Sequence, residues 1–199
     1  MAARIVAWKP MAYDPIETLR KRLAPLHAPD GAERTPGKVR AAVLVPIFER
    51  DGELYMLFIK RSDTVATHQG QVAFPGGRSE PEDPDILTTA LREAYEEVGL
   101  RPETVEVLGR LTTSATMTSN YLVTPFVGMI GVPTDLRADQ HEVAEIFSVP
   151  LAALKDPRFR GRYQWTRNGS VQDYPAILYG EQPIWGLTLR ITEELLALL

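Results

Sequence analysis

The sequence predicts an α/β fold with a mixed β-sheet between helices, on three observations. Apolar runs at residues 40–47 and 54–60 flank Asp51-Gly52, the signal of a β-hairpin. Residues 84–98 carry apolar side chains at helical spacing, and so do residues 185–199. Between these helices lie further short apolar runs of strand length, so strands and helices share one chain in the manner of a layered sheet.

Taken in order, residues 15–26 place Ile16, Leu19, Leu23 and Leu26 at helical spacing, with Arg20, Lys21 and Arg22 between them. That pattern predicts a helix docked by its apolar face, its basic triplet solvated. A Gly- and Pro-containing connector fills residues 28–38, so the expected organisation is an N-terminal helix and connector over 1–38 and one main domain over 39–199. Pro46 has no N–H to give a ladder and predicts an edge or a bulge near the end of the first strand. Residues 105–111 and 122–130 read as strands, 149–154 as a short helix begun near Pro150, and 163–179 as a hairpin turning at Asn168-Gly169. Leu187, Leu189, Ile191, Leu195 and Leu198 make the last element a buried helix.

The helix at 84–98 is marked at both ends. Asp83 or Asp85 can cap its start beside Pro84, and Gly99 suits its C-terminal cap. Leu87, Leu91, Ala94 and Val98 form its apolar stripe, while Glu93, Glu96 and Glu97 fall three and four residues apart and are expected on one face. A solvated acidic face is the plain alternative. Three clustered carboxylates repel one another unless a cation joins them, and hard oxygen donors suit Mg²⁺ or Mn²⁺ shared with substrate phosphates. The segment therefore points to metal-assisted chemistry on a phosphate ester or anhydride.

Gly77, Asp83, Arg92, Glu93, Ala94, Glu96, Glu97, Gly99 and Leu100 together resemble the signature of the Nudix hydrolases. Asp83 stands where Glu is usual, and one extra residue, at Pro84-Asp85, separates it from Arg92. The resemblance implies the Nudix fold and a salt bridge between Asp83 and Arg92. Upstream, Arg61, Ser62, Gly70, Phe74, Pro75, Gly76 and Gly77 resemble the segment characteristic of coenzyme A pyrophosphatases within that superfamily. Ala66 stands where that segment has a second Arg, and Phe58 and Ile59 where Leu and Thr are usual. Residues 121–128, 142–151 and 185–188 follow the same pattern, so the resemblance runs from about residue 39 to 198.

What the resemblance implies is Mg²⁺- or Mn²⁺-dependent cleavage of coenzyme A or its derivatives into 3′,5′-ADP and 4′-phosphopantetheine. Another nucleoside diphosphate or triphosphate is the alternative substrate. A non-catalytic ligand-sensing module is the second alternative, against which the full set of Glu93, Glu96 and Glu97 speaks. Glu93 and Glu97 are the first candidates for metal ligands, followed by Glu96 and the Gly76 carbonyl. Glu142 is a candidate base or ligand, with a surface carboxylate its equal alternative. Arg92 is expected to fix the loop and the carboxylates, and Arg61, Ser62, His68, Gly70, Gly77, Arg78 and Tyr121 to surround the substrate. Arg110 is a further cation expected near the site.

Composition bounds these readings. At 199 residues the chain suits one substantial domain, and 44% hydrophobic with 24% charged residues is ordinary for a soluble globular protein. The absence of Cys excludes disulfides, thiolate metal sites and cysteine nucleophiles. A net charge of −4 argues against affinity for nucleic acid through a broad basic surface, though not against a small anionic substrate. Apolar runs fall short of membrane-spanning length and no signal segment opens the chain, so a cytoplasmic protein without a membrane partner is expected. A homodimer and a buried C-terminal helix both account for the apolar residues at the end of the chain.

Overall fold

The computed structural model describes residues 14–25, 37–64, 69–116, 120–167 and 170–199. The central hairpin consists of β1 (Val39–Arg50) and β2 (Glu53–Arg61), joined at Asp51-Gly52 and paired antiparallel from Ile47↔Met56 to Arg50↔Glu53. Toward its start β1 leaves β2, and two short strands, β3 (Val72–Ala73) and β4 (Gly76–Arg78), fill the fork. β3 pairs with β2 at Ile59 and Lys60, and β4 with β1 at residues 41–43. The other edge of β1 runs parallel to β7 (Tyr121–Met129), which also carries β5 (Glu106–Arg110) and β6 (Ser114–Ala115). β8 (Val143–Pro150) closes the outer edge of β2, giving an eight-stranded mixed sheet.

Side chains alternate along the hairpin as a strand requires. Ala42, Leu44, Phe48, Leu57 and Ile59 face α2 (Ile86–Val98), where Ala90, Ala94 and Val98 complete one core. Val45, Ile47, Met56 and Phe58 face the other way, onto α1 (Pro15–Arg22) and α4 (Gly186–Ala197). The short α3 (Leu151–Lys155) and a three-stranded sheet of β9 (Arg160–Arg167), β10 (Ser170–Tyr179) and β11 (Gln182–Trp185) cover that same face. The α/β architecture with its mixed sheet between helices is the one the sequence predicts.

Several local expectations change. Pro46 lies neither on an edge nor in a bulge: it sits inside β1, opposite Gly128 of the parallel neighbour. The Leu44 N–H reaches the Pro75 carbonyl and the Ile47 carbonyl reaches Ile130, so alternate residues face opposite edges. The missing N–H of Pro46 therefore faces the fork, where the partner changes from β4 to β2 and no ladder bond is lost. Residues 143–150 form a strand ahead of α3, so the helix expected from residue 149 begins at Leu151. The first helix ends at Arg22 rather than continuing to residue 26, and Leu26 and most of the connector lie outside the described residues. The hairpin expected at 163–179 begins at Arg160, and its Asn168-Gly169 turn also lies outside them. No helix among the described residues is long and apolar enough to cross a membrane.

Phe58, fully buried in β2, stacks on Phe74 at 4.9 Å and on Phe147 at 5.7 Å, joining β2 to the segment between β3 and β4 and to β8. Phe58→Ala is expected to cost about 3–5 kcal/mol of unfolding free energy in urea titrations, since neighbours from the β3–β4 segment and from β8 cannot collapse into the space together.

Candidate active site

Five features of the sheet converge at one end: the start of β1, the end of β2, the β4 turn, the start of β7 and the start of β8. Helix α2 crosses this end. Asp85 caps it, accepting the Thr88 N–H at 2.7 Å, and Gly99 closes it in the left-handed conformation with φ 72°. Ala90 and Ala94 are fully buried, and these small side chains let the helix approach β1 and β4 closely. The buried stripe is therefore Thr89, Ala90, Ala94 and Val98, with Leu87 and Leu91 only partly buried at its margin.

The three glutamates do not share one environment. The Glu97 side chain is 2% exposed, Glu93 14% and Glu96 55%. At about 100° per residue, positions three and four after Glu93 rotate to opposite sides of it, so the turn that drives Glu97 inward carries Glu96 outward. Glu97 Oε2 accepts the Gly76 N–H at 2.9 Å, and Oε1 lies 3.3 Å from Arg61 Nη1. Glu93 lies against Gly77, where a Cβ would meet its carboxylate at 2.5 Å, so this contact requires glycine. Glu96 instead reaches Arg92 at 2.9 Å beside solvent.

Arg92 organises the loop. Its Nε and Nη2 grip Asp83 at 3.0 and 3.2 Å, Nη2 also donates to the Arg78 carbonyl at 3.1 Å, and Nη1 meets Glu93 at 3.0 Å. The salt bridge implied between Asp83 and Arg92 is present despite the extra residue. Asp83 further accepts the Glu80 N–H and the Thr89 hydroxyl, and these bonds, led by Arg92, hold its carboxyl down at about 2.

Burial works in the opposite direction on the other two acids. Desolvation raises Glu97 from 4.5 to about 8, against the Gly76 N–H and Arg61 that favour its anion, and the charges of Glu93 and Glu142 raise it further. Desolvation raises Glu93 too, opposed by Arg92. Glu142, exposed at the turn into β8, is thus close enough to act on both. Its backbone is fixed to the end of β2 because its carbonyl accepts the Ser62 N–H at 2.8 Å.

The remaining expected residues divide. Arg61 faces Glu97, and the Gly76 N–H is turned to the same carboxylate. The Ser62 hydroxyl is buried and bonded to Thr64, whose own hydroxyl reaches the His141 carbonyl, so Ser62 shapes the loop. The Gly70 N–H returns to the Arg61 carbonyl and closes that loop on β2. Arg78 contributes its carbonyl to Arg92 while its side chain is exposed. Tyr121, half-buried, begins β7 opposite Val39, across β1 from β4 at the same end of the sheet. His68 and Ala66 lie outside the described residues. Arg110 is a correction: it is buried, its Nε donates to the Pro25 carbonyl, and its backbone pairs with Ala24, so it anchors the segment after α1. Sequence reasoning missed Thr89 and the Arg78 carbonyl as supports of the loop, since neither carries a spacing signal.

The donor set fits a divalent cation in part. Glu93 and Glu97 present hard oxygens from successive helical turns, desolvated and each beside a single guanidinium. Among the described residues no three Asp, Glu or His side chains form a complete cage, so a divalent ion held here would draw further oxygens from outside this set.

Because the folded protein raises Glu97, the stability tied to this group is full below about pH 4.5 and is lost as pH rises through about 8. In metal-free protein, Glu97→Gln should therefore gain on the wild type as pH rises from 6 to 9, by up to about 1.4 kcal/mol per pH unit. Urea unfolding of both proteins in chelator across that range measures the difference.

Residues 38–168 match the NUDIX domain family model. The chain is 40% identical over 155 residues to the uncharacterized Nudix hydrolase NudL of Photorhabdus laumondii, covering 78% of this chain and 82% of that one. The namesake protein from Yersinia pestis is 41% identical over 157 residues, covering 78% and 77%. Among solved structures, a MutT/nudix family protein from Enterococcus faecalis superposes with a TM-score of 0.50 at 14% identity, over 81% of this chain and 62% of that one, a likeness of fold. With a family model over most of its length and these relatives at such identity, the chain belongs to the Nudix hydrolases.

Proposed function

We propose that the chain is a divalent-metal-dependent pyrophosphohydrolase of a nucleoside-linked diphosphate, and that within this class its substrate is coenzyme A or a derivative. The observation that carries the reaction class is the pairing of Glu93 and Glu97 on one side of α2, desolvated beside the Gly76-Gly77 turn, with Arg61 and Glu142 at the same end of the sheet. What supports coenzyme A is the pattern of residues 61–77.

Glu93 and Glu97 would hold the ion, with the Gly76 carbonyl beside them. When bound, a divalent ion neutralises charge on the diphosphate oxygens and acidifies water for in-line attack on phosphorus. Arg92, tied at once to Asp83, Arg78 and Glu93, keeps the Glu93 carboxylate against the glycine turn. Glu142 takes the proton of the attacking water, being exposed, close to both ligands and fixed by its backbone to β2. Arg61 faces the incoming phosphates from the end of β2.

A Mg²⁺-dependent screen of coenzyme A, acyl-coenzyme A, NADH, ADP-ribose and nucleoside triphosphates tests the substrate. Coenzyme A is expected to show the highest kcat/KM. Preference for another diphosphate defeats the narrower assignment and keeps the class, whereas binding without any turnover supports a sensing module. Gly77→Ala tests the site separately. The new methyl displaces the flexible end of Glu93 rather than backbone, so turnover should fall by about tenfold or more while stability changes by less than about 1 kcal/mol.

A further inference from the structure

We propose that Arg61 is a placeholder cation: in the metal-free protein it lies against Glu97, and when a divalent ion takes that carboxylate the guanidinium is released to the diphosphate of the substrate. The inference rests on the metal-dependent reading above and adds an order of events to it.

The backbone of Arg61 is fixed while its side chain is not. Its N–H donates to the Gln71 carbonyl at 3.0 Å, its carbonyl accepts from Gly70 at 3.2 Å, and the next residue is tied to Glu142. The ladder between β2 and β8 shifts register between Lys60 and Arg61, an irregularity of the kind that re-aims a side chain at a strand end. The guanidinium, by contrast, is held by one long contact, Nη1 to Glu97 Oε1 at 3.3 Å. Among the described residues no other acceptor meets its remaining N–H groups, although the guanidinium has five to offer. Arg92 shows the contrast, gripping Asp83 through two nitrogens at 3.0 and 3.2 Å and bonding Arg78 and Glu96 as well. Arg92 is built to stay; Arg61, 20% exposed, has a path outward.

Charge then determines the direction of movement. Glu97 is almost fully buried and needs a cation beside it in every state where it is ionised. A divalent ion on Glu97 meets that need and at the same short range repels the guanidinium. The substrate supplies anionic oxygens on the solvent side, and a planar fork matches them through two parallel hydrogen bonds. Arg61 thus serves Glu97 before the metal arrives and the diphosphate afterwards. A static Arg61, clamped to Glu97 throughout, is the competing arrangement.

Guanidinium NMR of the full chain separates the two, with Arg61→Lys assigning the Arg61 signal and ¹³C-labelled carboxylates reporting Glu97. Saturating Mg²⁺ alone should shift or broaden the Arg61 signal, and methylenediphosphonate added with Mg²⁺ should shift it again to a hydrogen-bonded position. An Arg61 signal that ignores Mg²⁺ while the Glu97 carboxylate responds overturns the exchange and leaves the metal site standing. A Glu97 carboxylate that ignores Mg²⁺ overturns the metal reading, and the exchange with it. By calorimetry, Mg²⁺ should strengthen methylenediphosphonate binding about tenfold less in Arg61→Ala than in the wild type. An undiminished Mg²⁺ effect in that variant also overturns the exchange.

Discussion

A carboxylate at 2% exposure is the constraint around which this end of the molecule is arranged. Glu97 is brought into the interior because α2 packs closely on β1, and the packing is close because Ala90 and Ala94 on the helix face Ala42 and Leu44 on the strand. The same approach presses Glu93 onto Gly77, where no side chain has room. Two candidate ligand carboxylates are therefore positioned by apolar contacts in which the helix side is small. Their desolvation follows from that packing, and it makes both acids resist ionisation until a cation offsets the cost.

The extra residue before Arg92 finds its explanation in a division of labour between two aspartates. Asp85 caps α2 through Thr88, while Asp83 binds Arg92, Thr89 and the Glu80 N–H. One acid cannot do both, since the cap must sit at the helix axis and the salt bridge must reach its side. Pro84 between them carries the chain from one position to the other. The loop from β4 to α2 is thereby fixed at both ends, and Arg92 holds Glu93 from an anchored base.

Much of this was legible from residue order because it depends on local chemistry. Asp51-Gly52 marks its hairpin, Asp85 and Gly99 mark their helix, and the glutamate spacing marks the site. What escaped the sequence depends on partners far along the chain. Residues 143–150 become a strand because β2 offers them an edge, and β3 and β4 are too short and too rich in small residues to announce themselves. Pro46 is tolerated inside a central strand only because β1 and β2 diverge there. Spacing put Glu96 with Glu93 and Glu97, but the direction of the apolar face separates them, and the leucines at 87 and 91 suggested a face centred away from the true one at Ala90 and Ala94. Ser62 and Gly70 belong to a family-like pattern for reasons of loop closure that no pattern of residues states.

A chain of net charge −4 must still attract a polyanion, and the distribution of its cations explains how it can. Arg92 is saturated by four partners, and Arg110 is buried beneath the segment that follows α1. Neither can meet a phosphate. On the proposed reading, Glu93, Glu97 and Glu142 set the field at the end of the sheet against Arg61 and the exposed Arg78, and a divalent ion would offset the carboxylates and displace Arg61 from its partner. Two changes would then come together, the charge added by the ion and the turning of the guanidinium it frees. On that reading a diphosphate would meet an attractive site only after both, and the acidity that would otherwise repel it would make its binding conditional on the metal.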